Sequence, residues 1–333
     1  MRVPIPLQTV YAELVEQAVI HEIDREFPSY GGFARKTVKG KRYVYWQGQV
    51  GGVRRQKFVG ADEPQTWTRI ERAKRLSVAD DTRARLVDAL VNAGFPRVPP
   101  SGGKVLRALV EAGAFRAAGV LVGTWAYLAY GPMLGVVLPA GLGQTQDLDI
   151  LQMEVAGENG QTDVLAALRE VDPTFEPSFS RALDGPPYAL HNGEGYRVEF
   201  FTVQSRQARR EPVMMESLGV GALPLPFLEY ILESSVGAVL LYRAGLPVRV
   251  PSPERFAVHK LIVAQRRTVA TAAKKRKDIA QAQSLLNVLI EDRPSELKSA
   301  VRDATARGPS WRRALNASIP SLDAAAQAFL KAK

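Results

Sequence analysis

The sequence predicts an α/β fold, in which a mixed, partly antiparallel sheet carries acidic residues between a helical and β-hairpin N-terminal region and a helical C-terminal domain. Three observations carry this reading. Short strand patterns at 119–123, 147–151 and 196–203 alternate with stretches of helical periodicity. The block "GFPRVPPSGG" at 94–103 holds three Pro and three Gly in ten residues and breaks the pattern. From Ser252, an N-cap type followed by Pro253, the chain reads as helical to its end. The expected divisions are 1–100, 101–250 and 251–333.

Taken in order, residues 1–30 read as helix. "KRYVYWQGQVGGVRRQKFVG" at 41–60 reads as a hairpin, with aromatic and β-branched residues alternating on either side of a Gly51-Gly52 turn. A charged helix is expected over about 65–92. Beyond the Pro/Gly block come a helix to about 118, the strand "GVLVG", a helix starting at Thr124 and a long loop at 131–145. Further helix is expected near 162–169, and strands at 196–203 and 227–232. "AVLLYRAGLPVRV" at 238–250 reads as a strand pair. There is no internal repeat.

A length of 333 residues with 46% hydrophobic composition suffices for two or three packed domains. The chain has no Cys, which removes disulfides and thiolate metal sites, and its three His (His21, His191, His259) are too far apart in sequence to suggest a zinc site. No apolar run reaches the roughly 20 residues that cross a bilayer, and residues 1–20 lack the basic-plus-apolar pattern of a leader, so a cytoplasmic protein without membrane contact is expected. The net charge of +10 fits either a polyanionic partner or a solvated basic surface. Its distribution is uneven. From Lys39 to Lys57 there are six basic residues and no acid, interleaved with Tyr43, Tyr45, Trp46 and Phe58, of which Tyr43, Tyr45 and Trp46 are the expected base-stacking rings, and from Arg255 to Lys277 there are eight and again no acid.

The stretch "QTQDLDI" at 144–150 carries the chemistry. In a strand, alternate side chains share a face, so Asp147 and Asp149 point one way while Leu148 and Ile150 point to the core. Two such carboxylates repel one another unless cations lie between them. Hard divalent cations such as Mg²⁺ take oxygen ligands and bridge to phosphates, and a pair of ions stabilises both oxygens of a phosphoryl transfer. "YRVEFFT" supplies Glu199 in the same apolar-acid-apolar setting as a third carboxylate. Upstream, Gly123-Thr124 ends a strand and opens a helix, which presents backbone N–H groups and a hydroxyl to phosphate oxygens. Downstream, Lys260 on the helix after Ser252 suits a triphosphate as a mobile point charge. Arg266, Arg267 and the run Lys274–277 read either as a solvated helix face or as triphosphate or acceptor contacts. His259, beside Lys260 on the helix, reads either as a general base or, favoured because neighbouring helix positions face different ways, as a packed or partly exposed histidine. His191 reads as structural or solvent-facing, and Trp125, Tyr127 and Tyr130 as core, with one of them reaching a nucleobase as the alternative.

The order strand, Gly-Thr, helix, Asp-x-Asp and later strand carboxylate resembles the active-site order of the polymerase-β-like nucleotidyltransferases. "GTWAYLAYGPMLGVVLP…TQDLDI", "GYRVEFFT", "PLPFLEYIL" and "VPSPERFAVHKLIVAQRR…KKRKDIAQAQSLL" resemble, in order, a family of bacterial nucleotidyltransferase-fold proteins over about residues 100–290. The resemblance implies the superfamily's mixed sheet, with Gly123 and Thr124 as the phosphate-contacting turn and Asp147, Asp149 and Glu199 as metal carboxylates. Lys260 and Asp278 match a lysine and an acid in the helical part of related transferases and toxin-like members. Two differences stand out: Thr replaces Ser or Gly in the turn, and the spacing from Thr124 to Asp147 is about twice the superfamily's usual one.

Two function classes follow. One is a metal-dependent enzyme, using two Mg²⁺ ions or Mn²⁺, that moves a nucleoside monophosphate (NMP) from ATP or another NTP to an acceptor hydroxyl. The acid-free basic segments favour an RNA acceptor such as tRNA over a protein or a small molecule, and a toxin-like role is open. The other is a nucleic-acid-binding module on the same fold without chemistry. Three mutually repelling acids favour the enzyme.

Overall fold

The structure, a computed structural model, describes residues 1–24, 32–50, 53–115, 119–143, 145–152, 163–179, 184–204 and 211–332. Helix α1 (Ile5–Asp24) precedes an antiparallel three-stranded meander of β1 (Gly32–Val38), β2 (Lys41–Val50) and β3 (Val53–Ala61). The long α2 (Pro64–Asn92) leads to α3 (Pro100–Glu111), β4 (Val120–Val122), α4 (Gly123–Leu134) and β5 (Asp147–Leu151). Then follow α5 (Val164–Val171), β6 (Glu176–Ser178), β7 (Ala189–His191), β8 (Arg197–Val203), β9 (Val213–Met215), β10 (Val220–Leu225) and the single turn α6 (Glu229–Leu232). The hairpin β11 (Ser235–Leu240) and β12 (Leu246–Pro251) precedes α7 (Pro253–Ala264), α8 (Ala272–Asp292), α9 (Pro294–Ala306), α10 (Pro309–Ser318) and α11 (Ala324–Lys331).

The central sheet is mixed, as the sequence predicts. Its path runs β4-β5-β8-β10-β9, with β4/β5 and β10/β9 antiparallel and β5/β8 and β8/β10 parallel. On the edge of β8 away from β5, β7 pairs with its first half and β10 with its second. The pleat sends Leu148, Ile150, Val198 and Phe200 into a shared core, each at most 1% exposed. That core runs without a break into the C-terminal helices, where Leu261, Leu285, Leu297 and Leu315 belong to the same cluster. Ser252 caps α7 by accepting from the Arg255 N–H, and Pro253 occupies its first turn.

The N-terminal region divides between two partners. Helix α1 and the C-terminal half of α2 pack on the body through Leu14, Val87, Leu90 and Val239, and the Tyr11 hydroxyl bonds both the N–H and the carbonyl of Val239. The meander instead folds on the first turns of α2, where Val44, Trp46, Val59 and Ile70 form a small core of their own.

Several expectations change. The Pro/Gly block is shorter than a loop of ten: Pro100 opens α3, and Gly102 and Gly103 lie inside that helix. A Cβ on either would run into the ring of Trp125 or of Tyr242, so these glycines serve close packing. The loop expected at 131–145 starts later, because α4 continues through Pro132 to Leu134 and ends at Gly135 in the left-handed region. Residues 227–232 do not form a strand. The strand is β10, one step earlier; Pro226 has no N–H for the ladder and Phe227 takes a φ of 72°, which turns the chain into α6. A short apolar run carries no periodicity that separates these outcomes. The Gly51-Gly52 turn lies outside the described residues.

Candidate active site

Strand pairing assembles the acids. In the parallel register of β5 and β8, Asp149 stands directly beside Glu199 and Asp147 beside Arg197. On the other side, the antiparallel register of β4 and β5 sets Val122 beside Asp149, so the chain leaves β4 against that carboxylate. Gly123 there has a φ of 65°, and a Cβ would collide with Asp149 Oδ2 and lie 3.1 Å from its Cγ. Only glycine meets both conditions. Thr124 follows in the first turn of α4, its hydroxyl 3.5 Å from Gln281 Nε2 of α8, which also donates to the Leu142 carbonyl at 2.7 Å.

A pocket of about 300 Å³ opens over these residues, between the sheet and α7. Its floor is Gly123, Asp147, Asp149 and Glu199; one wall is apolar, with Phe201, Leu225, Leu228 and Phe256; the rim is cationic, with Lys260, Arg266, Arg267 and Lys274. Burial, then Glu199 and Asp147, push the Asp149 carboxyl up to about 7, against the pull of Lys260 and Lys274. The two outer acids are already held by cations: Lys274 Nζ lies 3.2 Å from Asp147 Oδ2, and Arg197 lies 3.0 Å from Glu199 Oε1.

The other sequence-derived candidates distribute as follows. Lys260 lines the pocket but is buried, its ammonium 2.6 Å from Asp278 Oδ1, while Arg267 takes Asp278 Oδ2 at 3.0 Å. It is a fixed charge, where the sequence suggested a mobile one. Arg266 lies over the Phe227 ring at 5.1 Å. His259 is buried, with its pKa lowered to about 3 by burial and then by Lys260, so it is a neutral imidazole and carries no charge to a nucleotide. His191 joins Ser178 and Glu176 in the small β6/β7 pair. Trp125, Tyr127 and Tyr130 are core, as expected. One participant, Arg197, went unassigned in the sequence, although it is two residues from Glu199, a same-face spacing that was visible. Lys274 was read within the run 274–277 as a solvated face or a triphosphate or acceptor contact; its pairing with Asp147 spans 127 positions and had no local signal.

Lys260→Ala leaves Asp278, 3% exposed, with Arg267 alone. The expected cost is on the order of 3 kcal/mol, because breaking a buried pair strands its partner. Thermal melts should show a clear drop for Lys260→Ala and a smaller one for Lys277→Ala, and titration with an NTP should rank the two in the same order.

Alternate carboxylates on the central strands of a mixed sheet, a glycine turn pressed against one of them and cations lining the same pocket make this the candidate active site. The sequence matches the model of a family described as Nucleotidyltransferase over residues 101–306, and the chain belongs to that family. It is a transferase enzyme whose reaction is transfer of a nucleotidyl group, and a nucleotide is its substrate. No curated protein and no solved structure matches the chain. Among the described residues no helix is long and apolar enough to cross a membrane.

Nucleotidyltransferases generally use divalent metals. Among the described residues no three acidic or imidazole side chains already converge on one point. The donor set nevertheless fits a hard cation: three carboxylates on adjacent strands, one of them pushed toward neutrality by burial and then by its acidic neighbours, and another held by an ammonium.

Proposed function

We propose that Asp147, Asp149 and Glu199 hold Mg²⁺, as two ions and with Mn²⁺ as the alternative, and that the enzyme transfers NMP from an NTP to a hydroxyl of RNA, a tRNA 3′ end in particular. The observation that carries the catalytic part is the register that sets Asp149 beside Glu199 with its pKa raised to about 7. Burial comes first in that rise and repulsion by Glu199 second; a cation would relieve both, and the ions would polarise the α-phosphate and stabilise the leaving oxygen.

The chain's own residues supply the rest. The N-terminal turn of α4 at Gly123 and Thr124 offers N–H groups and a hydroxyl to phosphate oxygens. Lys274, paired with Asp147, and Arg266 line the same pocket and bring positive charge to the β- and γ-phosphates. Lys260 and Arg267 are shared with Asp278, so they contribute field more than direct pairing. The apolar wall of Phe201, Leu225, Leu228 and Phe256 suits a nucleobase. In the reaction the acceptor oxygen bonds to the α-phosphorus, the bond to the α,β-bridging oxygen breaks, pyrophosphate leaves, and the hydroxyl proton passes to a carboxylate of the set.

The RNA acceptor rests on charge. Residues 32–61 hold eight Lys and Arg with no acid, and 255–277 hold eight more. The experiment is incubation with each α-labelled NTP, Mg²⁺ and total cell extract, followed by RNase or protease. Label removed by RNase is the expected result; label removed only by protease would replace RNA with a protein acceptor, and label in small molecules would indicate a small-molecule acceptor. A toxin-like role would appear as growth arrest on expression that Asp149→Asn abolishes.

A further inference from the structure

The meander β1–β3 has two faces, and only one is used by the fold. Along β2, Val44 and Trp46 are buried against Ile70 of α2, so Tyr43 and Tyr45 face outward. Trp46, which the sequence grouped with the two tyrosines, is therefore core. The structure supplies a different third ring. Phe58 of β3 lies 5.8 Å from Tyr43 and 5.5 Å from Tyr45, between centroids, and is 55% exposed. Lys36 of β1 reaches the same face, its ammonium 5.6 Å from the Tyr45 centroid and bonded to Gln56 Oε1 at 2.8 Å.

An exposed phenylalanine between two tyrosines leaves apolar area in water that the fold does not use. The chain from 32 to 61 carries eight cations and no acid; Arg35 and Arg42 pair with Asp62, while Lys36, across from Tyr43, brings its charge to this face, which therefore attracts polyanions. The face also stands apart from the catalytic body. Ile70, in the meander's core, and Val87, in the core shared with α1, are 17 residues apart on one helix, or about 25 Å at 1.5 Å per residue.

We propose that this face is the binding platform for an unpaired stretch of the RNA acceptor. Bases stack on Phe58, Tyr45 and Tyr43, and phosphates meet Lys36 and the flanking cations. The proposal rests on the RNA reading above and adds where that RNA is held and by which rings. Duplex nucleic acid keeps its base faces inside the helix and offers a ring platform only phosphates, while an acidic peptide offers charge without planar bases. The platform thus selects unpaired strands, and it contributes to acceptor affinity without touching the reacting atoms.

The test is fluorescence anisotropy of the full chain with a labelled unpaired RNA of about 20 nucleotides, a duplex RNA of equal phosphate number and poly-glutamate. The unpaired RNA should bind tightest, and its affinity should fall by orders of magnitude between about 50 and 200 mM salt if six or more phosphates are met. A Tyr45→Ala, Phe58→Ala double variant should bind it at least about tenfold more weakly, Tyr45→Phe should bind as wild type, and NTP affinity should be unchanged in both. If the double variant melts early, single Tyr45→Ala and Lys36→Gln variants decide by the same criterion. Wild-type affinity in the ring-deleted variants, or equal binding of duplex or poly-glutamate, overturns the platform. A failure of the RNA-transfer reading is separate: it shows as no RNase-sensitive label while unpaired RNA still binds.

Discussion

Replacing Asp149 with Asn is expected to abolish NMP transfer and, at pH 8, to raise the melting temperature. The first effect follows from losing the carboxylate proposed as the central metal ligand, worth several kcal/mol of transition-state stabilisation and hence about 10³-fold or more in rate. The second follows from the environment of the group. Its folded pKa, raised to about 7 by burial and by Glu199 and Asp147, exceeds its unfolded value of 3.8, so the fold favours the neutral form. The stability this contributes is complete below about pH 4 and is lost as pH rises through 7. Asn stays neutral throughout. The variant should therefore melt with the wild type at pH 4 and a few degrees above it at pH 8, a gain on the order of 1–3 kcal/mol after screening. Mg²⁺ should narrow the gap by stabilising only the wild type. Asp147→Ala should lose transfer as fully, with less gain in stability, because Lys274 already neutralises that acid. Full transfer activity in either variant would remove the metal role of the strand, and an Asp149→Asn difference that grows toward low pH would contradict a raised pKa for that carboxyl.

Gly123→Ala is expected to reduce transfer by about 10²-fold, the size of effect that accompanies a misplacement of about 1 Å in a catalytic group. The methyl group would occupy the space of Asp149 Oδ2, and the residue's φ of 65° would cost an additional 1–2 kcal/mol, roughly, in any side-chain-bearing residue. Gly141→Ala is the control, since a Cβ there meets nothing within 4 Å. Steady-state rates and melts of the two variants separate loss of the site from loss of the fold: equal activity in both would mean that β4 can move away from Asp149 without consequence.

The amino-acid pattern alone carried the alternation that sets Asp147 and Asp149 on one face, with Leu148 and Ile150 at 0% exposure on the other. Strand period is a local property of the chain, and so are the Ser252-Pro253 helix start, the hairpin at 41–60 and the strand pair that became β11 and β12. What failed locally failed for local reasons. The apolar run at 227–232 has no period to read, Pro132 reads as a helix breaker yet lies buried inside α4, three residues before its end at Gly135, and Gly102 and Gly103 signalled a loop when their role was to admit two rings.

Which acid neighbours which, and which cation answers it, depended on tertiary structure. Asp149 meets Glu199 through a parallel register between strands 50 positions apart, and Lys274 meets Asp147 across 127. Lys260 was recognisable as a basic residue near a phosphate site, but its fixed pairing with Asp278 follows from the packing of α7 on α8. Trp46 moved from the expected stacking face to the core for the same reason: period-2 alternation says that neighbours in a strand face apart, and only the docking of α2 decides which face is inside. Local periodicity is written in the order of residues, whereas burial and long-range charge pairing exist only once distant segments share a surface.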